Sequence, residues 1–241
     1  MKYKLTEETR NLDGVVLHRI EAVKDFADVK AGEKGGWVEN EDNLSQDGDC
    51  WIYDDAIVMS GARVEDDAKI ANEAIVKDFA IVFDEAIVRD KARIIEKGWV
   101  CNKARVTENA IVGGMSKIFG KVFVYGNAKI SGGVRLSEEA LIGGNALITG
   151  KARIRGEAKI LDNVIVCDDA LIYGMAVIFG NAKVSGYARV FDRAQISGNA
   201  VVDENAKVYF RARIFGNAKA KGNDVVHGKT ELYISRKECS N

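Results

Sequence analysis

The chain has 241 residues, with 35 Lys and Arg against 36 Asp and Glu, so no global field draws it to nucleic acid or to an anionic membrane. No apolar run is long enough to span a bilayer, and the length suits a single domain. Proline is absent, as befits a fold whose backbone N–H groups are committed to a ladder.

Residues 1–49 open with a β-prone stretch from Val15 to Val23. Asp25-Phe26-Ala27-Asp28 and a Gly35-Gly36 turn follow, then Trp37-Val38. Val38 and Leu44 anticipate the spacing of what comes next. The expected role of this segment is an N-terminal β cap, because an uncovered solenoid end exposes a strand edge.

Residues 50–223 are an unbroken six-residue repeat of 29 hexads, of which 23 begin with Ala and 28 carry Ile, Val or Leu at the third position. Only Ala220 breaks the aliphatic rule. Six residues at about 3.6 per turn advance roughly 600°, which scatters successive alanines around a helix and excludes one. An extended segment instead puts the first and third positions on one side and the second and fourth on the other. Each hexad therefore reads as a short strand with Ala and the aliphatic inward, closed by a corner at positions five and six. Gly dominates the fifth position from Gly114 onward and Asp, Glu or Asn before it, which suits a positive φ.

Residues 224–241, with Leu232, Tyr233 and Ile234, are expected to form a C-terminal cap that frays at its polar end. Cys50, Cys101, Cys167 and Cys239 form no C-x-x-C pair and lack zinc-site spacing. Together with a polar Met1–Arg10, unlike a secretory leader, they make the cytoplasm the expected location. Cys101 and Cys167 fall at outward fourth positions, as free thiols.

A fixed short period marks a solenoid whose units cannot bury their core alone. The repeat, as in Ala128-Lys129-Ile130-Ser131-Gly132-Gly133, resembles that of the hexapeptide-repeat superfamily. The resemblance implies an all-β, single-stranded left-handed parallel β-helix, three hexads to a coil and about ten coils, roughly 46 Å long at the usual strand spacing. The string Ala22-Val23-Lys24-Asp25-Phe26-Ala27-Asp28, with Gly35-Gly36-Trp37-Val38 and Leu44 to Asp54, resembles the entry module of YdcK-like bacterial hexapeptide-repeat proteins and their phage-encoded relatives. These are called acyltransferases on the strength of their fold, and characterised hexapeptide-repeat acetyltransferases use a histidine base and a loop extruded from a coil.

The hexads here carry neither feature. His18 and His227 both lie outside them and read as cap residues, and three-histidine zinc chemistry is disfavoured by the same count. No catalytic residue and no metal ligand is assigned. The fifth-position ladders Asp54-Asn72-Asp90-Glu108 and Asp66-Asp84-Asn102 are read as corner formers rather than cation ligands.

Outward positions carry the functional expectation. On every third hexad from Ala62, the second and fourth positions hold Phe83, Trp99, Tyr173, Phe191 and Tyr209, read as a self-association surface, with a homotrimer as the expected assembly. The same face carries Lys117, Phe119, Arg135, Arg153 and Arg155, read as a site for an anionic, nucleotide-like small molecule. The expected function is a non-catalytic scaffold, interaction or ligand-sequestering module with no cofactor. A protein partner is the other expected contact, while general nucleic-acid or membrane binding is not expected. The alternative is an acetyl-CoA-dependent acyltransferase.

Overall fold

The structure is a computed structural model that describes residues 1–234, so residues 235–241 of the C-terminal segment, with Cys239, lie outside the described residues. The chain divides into two compact units, Met1–Lys121 and Val122–Asn241.

The first unit opens with an antiparallel hairpin of β1 (Tyr3–Leu12) and β2 (Val15–Ala22). Its loop is Asp13-Gly14, both at positive φ, the residue pair that a tight hairpin turn selects. Strand β3 (Lys34–Val38) pairs antiparallel with β2 and parallel with Ile57–Val58. Leu12 and Val15 pack against an outer cluster of Leu17, Trp37, Ile57 and Met59. Lys2 is buried, its ammonium donating to the carbonyls of Asp47, Gly48 and Cys50 at 3.3, 3.1 and 2.9 Å. The Tyr3 hydroxyl donates to Leu44 O at 2.7 Å. A buried cation needs such a set of acceptors, and here it ties the N-terminus to the first coils.

From β3 on, the first unit is three walls of parallel two-residue strands, named here by hexad phase. Wall A runs from β3 through Ile57–Val58, Ile75–Val76 and Arg93–Ile94 to Ile111–Val112. Wall B holds Trp51–Ile52, Lys69–Ile70, Ile87–Val88 and Arg105–Val106. Wall C holds Arg63–Val64, Ile81–Val82, Trp99–Val100 and Lys117–Ile118.

The second unit repeats the plan. Wall A′ runs from Lys129–Ile130 to Lys219–Ala220, wall B′ from Phe123–Val124 to Glu231–Ile234, and wall C′ from Arg135–Leu136 to Val225–Val226. Partners in the rungs of this unit are 18 residues apart, as Arg153 with Leu171 and Leu171 with Arg189. The fold is the expected all-β, left-handed parallel β-helix. It makes about 11 turns rather than ten. Pairing begins at Trp37–Val38, before the first hexad, and continues past residue 223 through Val225–Val226 and Glu231–Ile234.

The chemistry of the hexad explains the coil. Third-position aliphatics such as Ile154, Ile172 and Val190 are completely buried, each worth about 1.5–3 kcal/mol of apolar transfer. The fifth positions are left-handed throughout, from Asp54 at φ 54° to Gly228 at φ 73°. Where that residue is Asp, its carboxylate accepts the N–H one rung on, as Asp54 Oδ2 from Asn72 at 3.0 Å, Asp84 Oδ2 from Asn102 at 2.9 Å and Asp90 Oδ2 from Glu108 at 3.0 Å. The acidic ladders are thus built into the backbone. In the second unit a sixth-position amide ladder does similar work. The Asn127, Asn145, Asn163 and Asn181 side chains each donate to the next Asn oxygen at 2.8–3.2 Å.

Candidate functional site

Wall strands bury alternate side chains and leave the others on flat outer faces. In the first unit, wall C places Phe83 edge-on to Trp99, ring centroids 6.3 Å apart at 83°. Lys117 Nζ lies 4.0 Å from the Trp99 ring centroid, a cation–π contact, while Phe119 is 37% exposed.

In the second unit, wall C′ carries Tyr173, Phe191 and Tyr209 on consecutive rungs, stacked at 4.8 Å with planes within 1°. The spacing is the strand repeat itself, so the backbone ladder sets the rings in contact. Arg155 lies 5.2 Å from the Tyr173 ring at one end, and His227 stacks on Tyr209 at 5.5 Å at the other. His227 therefore sits on the fourth position of a further hexad, at the foot of a ring column. Arg135 and Arg153 face each other across adjacent strands.

Wall C′ is also the most basic outer face of the second unit. Arg135, Arg153, Arg155, Arg189 and Lys207 all point outward from it, and none makes an ion pair among the described residues. Wall A′ has Lys129, Lys183, Lys219 and Lys221, offset by Asp203, and wall B′ has Lys159 and Arg213, the latter paired with Glu231 at 2.9 Å.

The residues read from the sequence thus fall into local groups. Lys117 meets Trp99 in the first unit; in the second, Arg155 meets Tyr173, and Arg135 and Arg153 stand in register on neighbouring strands. Two features escaped sequence reading. Wall B′ bears an apolar patch of Phe123, Tyr125, Leu141, Leu161, Val177 and Phe179, with the first two rings stacked at 5.0 Å. Beside wall C′, a corner carries an exposed Phe210 at a fifth position otherwise held by small or polar residues. Both were visible at an 18-residue spacing, the first on every third hexad from Val122.

A third cluster ties the N-terminal segment to wall B. The Tyr53 hydroxyl and Lys69 ammonium donate to Asp28 Oδ1 at 2.9 and 2.8 Å. Hydrogen bonds from Lys69 and then Tyr53 hold the Asp28 carboxyl below its ordinary range, and burial pushes the Tyr53 phenol up to about 12. Burial likewise raises the outward thiols, Cys101 to about 11. These groups are a clamp and two subdued nucleophiles.

Among known proteins, residues 194–209 match the YdcK β-solenoid repeat. The chain is 49% identical over 70 residues to the "Uncharacterized acetyltransferase YdcK" of Escherichia coli (strain K12), a match covering 25% of this chain and 22% of that protein. It spans about a fifth of that relative's length. A UDP-N-acetylglucosamine acyltransferase from Campylobacter jejuni aligns in structure with TM-score 0.45 and 15% identity, over 73% of this chain and 66% of the other. The resemblance to YdcK-like hexapeptide-repeat proteins is therefore found in the sequence. Among the described residues, no helix is long and apolar enough to cross a membrane.

Proposed function

Starting from this likeness to the YdcK β-solenoid, we propose that the chain is a rigid cytoplasmic scaffold that docks an acidic protein surface on wall C′. The observation that carries the reading is the set of five uncompensated cations, among them the neighbours Arg135 and Arg153 and the neighbours Arg189 and Lys207, beside a column of parallel, stacked rings. Like charges held about one strand spacing apart repel, and an anionic partner relieves that repulsion. The ring column presents edges, whose positive quadrupole also favours carboxylates. A flat wall suits a protein surface better than a small molecule, which needs a concave site.

The same charge argues against two copies meeting through wall C′. The apolar patch of wall B′ is the better self-association surface, with a homotrimer as the expected form. To test the docking reading, a fluorescein-labelled oligo-glutamate peptide is titrated at low and high salt. The expected result is binding that weakens with salt and is lost in Arg153→Glu/Arg189→Glu. Binding indifferent to both would refute it.

A second reading is acyl transfer, favoured by the name of the YdcK relative. Incubation with acetyl-CoA and a panel of amine acceptors, following free thiol, tests it: turnover above the spontaneous rate supports the enzyme.

A further inference from the structure

The corner that follows wall C′ departs from the rule of every other corner. Fifth positions elsewhere are Gly, Asp, Asn, Glu or Ser, whereas here the residue is Phe210, at φ 56°. A bulky side chain in the left-handed region is strained. The Phe210 ring is 56% exposed, with one tilted contact to Tyr209 at 5.1 Å. A strained, exposed aromatic at a site where glycine would fold better points to a role in binding.

Its surroundings say what would bind. Phe210 and Met175 line a cleft of about 660 Å³ with Arg193, Arg211 and Lys229, and Asp192 is its one acidic side chain. Asp192 Oδ2 is already engaged, accepting the Phe210 N–H at 3.1 Å. Met175, Arg193, Arg211 and Lys229 are the sixth residues of consecutive rungs. Their backbones are locked in register by Met175 N–H to Asp192 O at 2.6 Å, Arg193 N–H to Phe210 O at 2.8 Å and Arg211 N–H to Gly228 O at 3.0 Å. Three cations therefore stand at successive strand spacings, about 4.8 Å apart along the backbone. None has an ion-pair partner among the described residues. Arg193 and Arg211 also border a second, more polar cleft with Gln195 and Arg213, so both residues are reachable from two sides.

We infer that this corner binds a nucleoside polyphosphate, with the base on the exposed Phe210 ring and the phosphate chain along Arg193, Arg211 and Lys229. The concave cleft supplies what the flat wall lacks, a face for stacking and a nearby cationic edge. Spacing favours a chain of linked phosphates, because successive cations then meet successive anionic groups. Adenosine alone would lose the charge contacts and tripolyphosphate alone the stacking.

Calorimetric titration of the full chain with ATP, tripolyphosphate and adenosine tests this. ATP is expected to bind more tightly than either fragment. Phe210→Asn keeps a residue that tolerates the left-handed corner, and it is expected to weaken ATP by about tenfold while leaving the urea midpoint unchanged or higher. Arg193→Gln/Arg211→Gln is expected to weaken ATP by at least about tenfold and to flatten the salt dependence. Arg153→Glu/Arg189→Glu, on the flat wall, should leave most of the ATP affinity in place. Three results would overturn the assignment: no heat with ATP, equal affinity for ATP and tripolyphosphate, or ATP affinity lost in Arg153→Glu/Arg189→Glu yet kept in Phe210→Asn. The last would move the ligand to wall C′ and leave the docking face standing.

Discussion

Replacing Gly180 by Ala and, separately, by Asn should give clearly different stabilities, although both add a side chain at the same corner. Gly180 sits at φ 75°, and a Cβ placed on it would lie 3.0 Å from both the N and the O of Gly198 one rung on. Ala there meets about 1–2 kcal/mol of left-handed strain. It recovers about 0.4–1 kcal/mol through the stiffer unfolded chain, and the tight approach costs about 1 kcal/mol more. The net loss is about 1–2 kcal/mol. Asn tolerates the left-handed region, and its Oδ1 can accept the Gly198 N–H as Asn102 Oδ1 accepts that of Gly120 at 3.1 Å.

Side-chain-bearing corners already stack on each other in the first unit, at φ values from 54° to 65°, so a small turn of φ makes room for the Cβ. Gly180→Asn should therefore be at least about 1 kcal/mol more stable than Gly180→Ala. For a chain of this size that is a difference of about 2–4 °C in melting temperature. Thermal melts followed by circular dichroism, with hydrogen exchange of the peptides containing Asn181 and Asn199, would read it. Equal melting points, or Asn below Ala, would refute the claim that corner side chains stabilise by bonding the next rung.

Truncating the buried Ile196 to Ala should cost about 2–5 kcal/mol, while truncating the outward Arg189 should change stability by less than about 0.5 kcal/mol; urea unfolding of each separates core from face. The Asp28 carboxyl, held below its unfolded value by Lys69 and Tyr53, stabilises above the unfolded pKa, and this contribution fades as pH falls through the folded one. Asp28→Asn should accordingly make the exchange protection of residues 25–32 less dependent on pH in the acid range. Burial lifts the Cys101 thiol to about 11, so its alkylation by iodoacetamide should be slow at neutral pH and rise about tenfold per pH unit up to about pH 10. A rate that levels off below pH 9 would contradict that environment.

Most of the fold was legible because the period of six specifies strand, corner and inward face together. Val38 and Leu44 even announced that the ladder begins before Cys50, as the pairing of Val38 with Val58 and Leu44 with Val64 shows. The far end was harder to read. Asp224 and Thr230 break the Ala rule at first positions while Val226 and Leu232 keep the aliphatic one, so a repeat defined by its alanines stops two hexads early although the backbone continues. The hairpin turn at Asp13-Gly14 was visible in the sequence as a pair, but the docking of Leu12 and Val15 on the outside of wall A depends on a distant surface.

The candidate site was legible as a column and not as contacts. The 18-residue spacing put Tyr173, Phe191 and Tyr209 in line, and the structure stacks them. Which cation meets which ring depends on side-chain reach: Lys117 turns to Trp99 and Arg155 to Tyr173. His227 looked like a cap residue, yet one further hexad sets it against Tyr209. Phe210 was a visible exception to the fifth-position rule. The cleft lies at a corner, lined by fifth- and sixth-position residues that the inward and outward alternation of the strands does not place.

The docking face is tested most directly by matched charge reversals on different walls. Arg153→Glu/Arg189→Glu on wall C′ and Lys159→Glu/Lys219→Glu on walls B′ and A′ change net charge equally, so affinity for the labelled oligo-glutamate peptide separates a local face from the global field. Loss of binding in the first pair with little change in the second is the predicted result. Equal loss in both, or none in either, would contradict the assignment of wall C′.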